Sequence, residues 1–154
     1  MKVCITGSTR GVGKLIASYF KLRNCEVKSF DRNNTYEEII LGSLDCDLFV
    51  NNAYGDGLQI KLLEELHTKI KKIIVCGSIA ADSPDPEMPV YSKHKKELQE
   101  RFYELTQTKN NNVADMLLLK LTSSSVKDHN LLHNTIDYWL KNPQVTEVRF
   151  DIRN

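Results

Sequence analysis

Three side chains near the middle of the sequence have types that together could transfer a proton. Tyr91 and Lys95 lie four residues apart, and Ser78 precedes the tyrosine by thirteen positions. On a helix, the four-residue spacing places the phenol and the ammonium on one face. A tyrosine hydroxyl has a pKa of about 10, and a nearby ammonium favours the phenolate and lowers that value. The alternative is a tyrosine that packs its ring while the lysine extends into solvent, and the pair alone does not distinguish the two.

A glycine-rich segment near the start of the sequence could bind a phosphate. Thr6-Gly7-Ser8-Thr9-Arg10-Gly11-Val12-Gly13 directly follows the apolar run Val3-Cys4-Ile5 and leads into a helical pattern. Glycine lets the backbone approach a pyrophosphate closely, and the N–H groups at the start of the helix attract the anion. Glycine spacing alone is weak evidence, since a purely structural turn can also be glycine-rich. Its position between a strand pattern and a helix pattern makes phosphate binding the better interpretation.

The end of the second apolar run bears on which nucleotide would bind. The run Glu26–Phe30 ends at Asp31, about twenty residues after the glycine-rich segment, where a carboxylate can bind the hydroxyls of an adenosine ribose. The same charge would repel a 2′-phosphate, whereas Arg10 and Arg32 would attract one. A solvated charged turn is the alternative. We therefore expect NAD as the cofactor and leave NADP possible.

Short apolar runs alternate with helical patterns along the whole chain, and these elements must position the residues above. Strand patterns cover Lys2–Thr6, Cys25–Asp31, Asp47–Asn52, Lys71–Gly77, Val113–Leu121 and Val145–Asp151, and helical patterns cover Gly11–Leu22, Tyr36–Leu41, Gln59–Ile70, Val90–Thr108 and His129–Lys141. The alternation predicts an α/β fold with a Rossmann-like, doubly wound parallel sheet of about six strands, in a single domain over residues 1–154. Because such sheets bind ligands beyond the carboxyl ends of their strands, we expect Ser78 to lie at that edge.

These motifs together resemble those of the short-chain dehydrogenases/reductases. The glycine motif of that family, Thr-Gly-x-x-x-Gly-x-Gly, corresponds to Thr6–Gly13, and its Tyr-x-x-x-Lys corresponds to Tyr91–Lys95. The catalytic serine of the family corresponds to Ser78, and its Asn-Asn-Ala-Gly element appears as Asn51-Asn52-Ala53-Tyr54, followed by Gly55. The resemblance covers essentially the whole chain, and four motifs in the family's order are more specific than any one of them.

The resemblance implies a role for each of these residues. Tyr91 would be the acid/base, Lys95 would bind the nicotinamide ribose and tune the tyrosine, and Ser78 would hold the substrate oxygen. The implied catalytic residues are Ser78, Tyr91 and Lys95, and the implied cofactor-binding residues are Gly7, Ser8, Thr9, Arg10, Gly11, Val12, Gly13, Asp31, Arg32, Asn52, Ala53, Tyr54, Tyr91 and Lys95. The expected activity is that of an NAD(P)-dependent oxidoreductase, which transfers a hydride between the nicotinamide and a small carbonyl or alcohol substrate.

The chain departs from the family pattern in three places. It is markedly shorter than usual, and one strand-helix unit is expected to be missing between Asp31 and Asp47. The helical pattern Gln59–Ile70 has no asparagine, which many relatives use there in a proton relay, and Thr122–Asp128 replaces the longer segment that usually closes over substrate. These losses leave open a catalytically weak NAD(P)-binding sensor or regulatory protein. A sugar-nucleotide epimerase or reductase is disfavoured, because such relatives generally add a C-terminal substrate domain.

Composition limits the partners that we expect. Hydrophobic residues make up 41% of the chain and charged residues 27%, with a net charge of +1, so nothing indicates nucleic acid or an anionic membrane as a partner. The apolar runs are too short to span a bilayer, and the first residues lack a signal-peptide pattern, so we expect a cytoplasmic protein. No two cysteines have Cys-x-x-Cys spacing, and His129 and His133, four residues apart on a helical pattern, have no neighbouring acidic ligand of suitable geometry, so we expect no metal.

A homodimer or a higher homo-oligomer is also expected. The helical pattern Gln59–Ile70 has an apolar stripe, and in relatives this helix and the one after Tyr91 commonly form the subunit contact. A shortened domain would gain from burial shared between subunits. The alternative is that the stripe, which consists of Leu62, Leu63, Leu66 and Ile70, faces only its own sheet.

Overall fold

The strands of the protein form one parallel sheet. The computed structural model describes residues 1–108, 112–122 and 128–150. Its strands are β1 (Lys2–Thr6), β2 (Glu26–Phe30), β3 (Leu48–Asn51), β4 (Lys72–Ser78), β5 (Asp115–Leu121) and β6 (Glu147–Arg149). Their order is β2-β1-β3-β4-β5-β6, and every neighbouring pair is parallel. The prediction of a doubly wound parallel sheet of about six strands is confirmed.

Helices cover both faces of this sheet. Within the described residues they are α1 (Gly11–Leu22), α2 (Tyr36–Ser43), α3 (Leu58–Leu66), α4 (Pro89–Gln107) and α5 (His129–Lys141), with a short 3₁₀ turn at Ile79–Ala81. One buried apolar cluster contains side chains of α1 and α5, and a second contains side chains of α2, α3 and α4. Neighbouring strand residues alternate between the two clusters, as Val3 and Cys4 do, because side chains of a strand point to opposite faces in turn.

The predicted bounds differ from the observed ones mainly at element ends. α3 ends at Leu66 rather than at Ile70, and α4 begins at Pro89, since the fixed φ of proline suits the first position of a helix. The last strand spans Glu147–Arg149, which is shorter than the predicted Val145–Asp151, and Asp151 lies outside the described residues.

The strand order of the sheet reverses at β1, and a crevice is expected at that point. β1 pairs with β2 on one side and with β3 on the other, so ligands are expected beyond the carboxyl ends of these strands. Thr6 joins the two ends, because its Oγ1 accepts hydrogen bonds from the backbone N–H groups of Asn52 and Ala53, each at 3.0 Å. α2 leads directly from β2 to β3, as the short spacing between Asp31 and Asp47 predicts.

A group of charged side chains links the 3₁₀ turn to the far edge of the sheet. Lys120 of β5 is only 4% exposed, and its ammonium pairs with Asp82, which directly follows the turn, and with Glu147 at 3.8 Å. Asp82 also accepts a hydrogen bond from Gln99 Nε2 at 2.8 Å and pairs with Arg149 at 3.2 Å. A buried ammonium needs such partners, so this group holds the turn after Ser78 against β5.

The apolar stripe of α3 packs within its own chain. Leu62, Leu63 and Leu66 are fully buried and Ile70 nearly so, in the cluster that also contains side chains of α4 and the sheet. The stripe therefore packs against its own chain, which is the alternative stated above, and the part of the argument for a dimer that depends on this stripe is wrong. The oligomeric state itself stays a prediction. In the described part of the chain, no helix is both long and apolar enough to cross a membrane.

Candidate functional site

The glycine-rich loop after β1 is packed closely against the end of β3. Gly7 has φ +69°, and its backbone N–H donates to the backbone oxygen of Phe30 at 3.0 Å. Asn52 Nδ2 donates to the backbone oxygen of Gly7 at 3.0 Å. A Cβ at Gly13 would lie 2.1 Å from that same oxygen, so the loop and the first turn of α1 can meet only without a side chain there.

The start of α1 is suited to an anion. Gly11 has φ +56°, and a Cβ there would meet none of the described atoms within 4 Å. Among the described residues, no side chain caps this helix end, and its first turn has no acidic residue. The positive end of the helix dipole and its first N–H groups are therefore available to a phosphate.

A wide pocket of about 1400 Å³ lies between this loop and the turn after β2. Thr9, Arg10, Asp31 and Arg32 line it. One carboxylate oxygen of Asp31 accepts from the backbone N–H of Asn33 at 2.8 Å, so the side chain that was predicted to bind a ribose also shapes its own turn. Within the described part of the chain, neither Arg10 nor Arg32 forms an ion pair.

A second pocket of about 740 Å³ brings the three predicted catalytic residues together. Ser78 at the end of β4, and Tyr91 and Lys95 from the first turns of α4, all line it. Asn52 and Tyr54 line both pockets, so the two pockets are neighbouring parts of one groove along the carboxyl edge of the sheet. The remaining predicted residues divide between them: Gly7 and Ala53 line the wide pocket and Val12 the second, whereas Ser8, Gly11 and Gly13 line neither.

The Lys95 side chain points into the protein rather than into solvent. Its Nζ donates to Gln59 Oε1 at 2.7 Å and to the backbone oxygen of Cys76 at 2.9 Å. The same atom lies 5.5 Å from the centroid of the Tyr91 ring. Burial disfavours the ammonium and lowers the pKa of Lys95 to about 8. Of the two alternatives that the spacing leaves open, the structure favours an inward lysine beside the tyrosine.

Ser78 and Tyr91 are held by their immediate neighbours. Ser78 is buried, and its Oγ accepts from the backbone N–H of Ala80 at 3.1 Å. A hydroxyl that accepts a bond still has its own proton to donate, so Ser78 can hydrogen-bond a carbonyl oxygen in the pocket. The ring of Tyr91 meets the ring of Tyr54 edge to face, with centroids 5.1 Å apart, and Tyr54 Oη lies 3.2 Å from His94 Nδ1.

Two contributors to the site were not predicted, Gln59 and His94. Gln59 Nε2 donates to the backbone oxygens of Asn51 and Cys76 at 2.8 and 3.2 Å, at the ends of β3 and β4. A signal for Gln59 was present in the sequence, since it is the polar member of an otherwise apolar stripe on α3. His94 gave no such signal, because its contact is with a loop distant in sequence.

Solved structures with the same fold extend over nearly the whole chain. A 3-ketoacyl-(acyl-carrier-protein) reductase from Brucella melitensis complexed with NADH has a TM-score of 0.76 at 13% identity, covering 97% of this chain and 96% of that chain. A short chain dehydrogenase/reductase family oxidoreductase from Brucella ovis, in complex with a partially ordered NAD, has a TM-score of 0.71 at 16% identity, covering 97% and 99%. An alcohol dehydrogenase from Thermococcus sibiricus, complexed with 5-hydroxy-NADP, has a TM-score of 0.70 at 17% identity, covering 97% and 96%.

These likenesses establish the fold of the chain. It is the fold of the short-chain dehydrogenases/reductases, as the motifs predict. No protein-family model matches the sequence, and no curated protein matches it. The assignment of activity therefore depends on the residues of the groove.

Proposed function

We propose that the protein is an NAD(P)-dependent oxidoreductase, which transfers a hydride between a nicotinamide cofactor and a small carbonyl or alcohol substrate. The observation that carries the proposal is the meeting of Ser78, Tyr91 and Lys95 in one pocket. That pocket adjoins the glycine-rich loop through Asn52 and Tyr54. The groove thus combines side chains suited to proton transfer with a loop suited to a dinucleotide, and this combination supports the proposal.

The residues of the groove fit a dinucleotide. The open space at Gly11 and the uncapped start of α1 would hold the pyrophosphate. The wide pocket at Asp31 would hold the adenosine, and Lys95 would bind the ribose of the nicotinamide. A bound nicotinamide supplies the hydride that is given to, or taken from, the substrate carbon.

Side chains of the protein would transfer the proton to or from the substrate oxygen. Ser78 donates a hydrogen bond to the substrate oxygen, and the Tyr91 hydroxyl gives a proton to that oxygen during reduction or accepts one during oxidation. Lys95 holds its ammonium close to the tyrosine, with its Nζ 5.5 Å from the ring centroid.

The walls of the smaller pocket support an uncharged, mainly apolar substrate. Most of the surface that lines it is apolar, and Val12, Ile79, Pro86, Met88 and Leu121 contribute to that surface. Among its described lining residues the charged ones are Asp85 and Lys95, and the contacts of the lysine keep it beneath the pocket. Because Lys95 is bound to Gln59 and Cys76 and would bind the nicotinamide ribose with its remaining donor, a carboxylate or phosphate on the substrate would lose its hydration here without a free cation among the described lining residues.

The charged side chains of the wide pocket bear on the choice between NAD and NADP. The carboxylate of Asp31 at the wide pocket supports NAD, because it would repel a 2′-phosphate. Arg10 and Arg32 in the same pocket support NADP. The proposal is NAD, and dissociation constants for NADH and NADPH test it, since tighter binding of NADPH would reverse the preference.

The proposed activity is tested by a titration followed by a substrate screen. Purified protein is titrated with NADH and NADPH, and neutral ketones, aldehydes and alcohols are then assayed at saturating cofactor. Tyr91→Phe keeps the ring but removes the hydroxyl, so cofactor binding should persist while turnover falls by about 10² to 10⁴. Tyr138→Phe removes a hydroxyl from an exposed side chain of α5 that lines neither pocket, and this variant should keep its turnover.

Two results would contradict this mechanism. Near wild-type turnover of Tyr91→Phe on a substrate of the wild-type protein would remove the tyrosine from it. Binding of NADH without turnover of any carbonyl or alcohol would instead support the sensor alternative. Lys95→Ala should weaken NADH binding as well as turnover, since it removes both a ribose contact and the charge beside Tyr91.

A further inference from the structure

The buried carboxamide of Gln59 contacts Lys95, and the proposed reaction does not itself require this contact. Gln59 is 5% exposed, and its Oε1 lies 2.7 Å from Lys95 Nζ. Its Nε2 is bound to backbone oxygens at the ends of two strands. We infer that Gln59 is the positioning residue of Lys95, which holds the ammonium at the floor of the pocket and stabilises its charged form.

The orientation of the carboxamide is fixed by its three contacts. Nε2 donates to the backbone oxygens of Asn51 and Cys76 at 2.8 and 3.2 Å, and an amide oxygen could not take that place because it would face two acceptors. Asn51 Nδ2 donates back to the backbone oxygen of Gln59 at 2.7 Å. The oxygen of the carboxamide must therefore point at Lys95.

The contacts of Lys95 leave part of its ammonium for a ligand. A lysine ammonium has three donors, and two of them are used by Gln59 Oε1 and by the backbone oxygen of Cys76. Lys95 also lines the pocket, with its Nζ 5.5 Å from the ring centroid of Tyr91 and 5.9 Å from that of Tyr54. By binding the ammonium, Gln59 thus fixes where the third N–H of Lys95 can reach a ligand in the pocket.

The charge on Lys95 depends on these acceptors. Burial lowers the pKa of Lys95 to about 8, and an acceptor on the ammonium opposes that effect. The titratable groups that face it are Cys76 from β4, Tyr54 from the loop after β3, and Tyr91 of its own helix. Burial raises the pKa of Cys76 to about 12, so this thiol is neutral where Lys95 titrates. Gln59 Oε1, 2.7 Å from the ammonium, is a side-chain acceptor whose position favours the charged form of the lysine.

The positioning role can be measured without a cofactor, whereas its effect on the reaction rests on the proposed function. Protein labelled with ¹³C-lysine is titrated by NMR, and the Lys95 Cε signal is assigned by its loss in Lys95→Arg. Gln59→Met keeps the volume of the side chain but removes the acceptor, so the Lys95 transition should move to lower pH by about one unit or more. Leu63→Met, a buried change on the same helix, should leave the transition in place.

A second variant makes the direction of the shift decisive. Gln59→Glu keeps an oxygen toward Lys95 and adds a negative charge. Its second oxygen faces the two backbone acceptors that Nε2 now binds, a repulsion that the ion pair with Lys95 would offset, so in the folded variant the Lys95 transition should move to higher pH. If Gln59 had only a structural role, the pH of the Lys95 transition would not change in the Gln59 variants, or it would change by the same amount in Leu63→Met. If Gln59→Met does not fold, an upward shift in Gln59→Glu supports the inference, and an unchanged pH of titration overturns it.

The pH dependence of NADH affinity is a further measurement that tests the role of Gln59. The alkaline loss of NADH affinity should begin at lower pH in Gln59→Met and at higher pH in Gln59→Glu than in the wild-type protein. A wild-type protein that does not bind NADH would refute the proposed function, while the NMR titration would still decide the role of Gln59. Unchanged Lys95 titration in both variants would overturn the inference even if NADH binds.

Discussion

Among the glycines of the glycine-rich segment, Gly13 is the one at which an added methyl group would come closest to other atoms. A Cβ there would lie 2.1 Å from the backbone oxygen of Gly7 and 2.5 Å from Asn52 Nδ2. These two atoms form the 3.0 Å hydrogen bond that joins the loop to the end of β3. Gly13→Ala must therefore push the loop away from the strand that shapes the groove.

The expected size of the effect follows from these contacts. Overpacking a close contact costs about 1–3 kcal/mol, and loss of the hydrogen bond costs roughly 0.5–1.5 kcal/mol more. We expect Gly13→Ala to lower the free energy of unfolding by about 2–4 kcal/mol. Small domains are stable by only about 5–15 kcal/mol, so urea denaturation of the cofactor-free protein can resolve the loss.

Gly11 and Gly55 provide matched controls, since a Cβ at either one meets none of the described atoms within 4 Å. Gly55→Ala should leave unfolding nearly unchanged, and Gly11→Ala should cost about 1–2 kcal/mol from its left-handed backbone. For NADH binding the control is Gly57→Ala, since Gly57 has the same left-handed backbone and open space as Gly11 and lines neither pocket. A pyrophosphate beside Gly11 would make Gly11→Ala weaken NADH binding more than Gly57→Ala does. Equal unfolding free energies for the Gly13 and Gly55 variants would refute the packing argument, and equal NADH affinities for the Gly11 and Gly57 variants would refute the binding argument.

Three further changes test the surroundings of the groove. Asp82→Asn leaves the ammonium of Lys120 buried with a weakened partner and should cost roughly 2 kcal/mol in urea denaturation. Because bonds from Gln99 and Lys120 lower the pKa of Asp82, its contribution is present above the ordinary carboxyl range and is lost as pH falls, so the difference from wild type should shrink in acid. Asp31→Asn removes a negative charge from the wide pocket and should improve NADPH binding relative to NADH by roughly fivefold, as measured by dissociation constants. Tyr54→Ala removes the ring between the two pockets and should raise kcat/KM for bulkier ketones relative to small ones; an unchanged ratio would contradict that placement.

Local patterns were sufficient to predict the elements that build the groove. α1 and α5 have the predicted bounds, because their apolar stripes end at polar residues and, for α5, at Asn142-Pro143. The end of α3 was not predictable in this way. The backbone oxygen of His67, just after the helix, accepts from the N–H of Ala114 at 2.6 Å, and that contact requires a segment distant in sequence to be in place.

The partners of buried polar groups are harder to predict for the same reason. The lack of an asparagine in the helical pattern Gln59–Ile70 weighs against turnover at the level of sequence. The structure nevertheless places a carboxamide on Lys95, from Gln59 at the start of α3. Its position in an apolar stripe indicates that Gln59 is buried, and a buried amide must find partners. Those partners come from the ends of β3 and β4 and from α4, so only the assembled sheet and helices determine what the glutamine does.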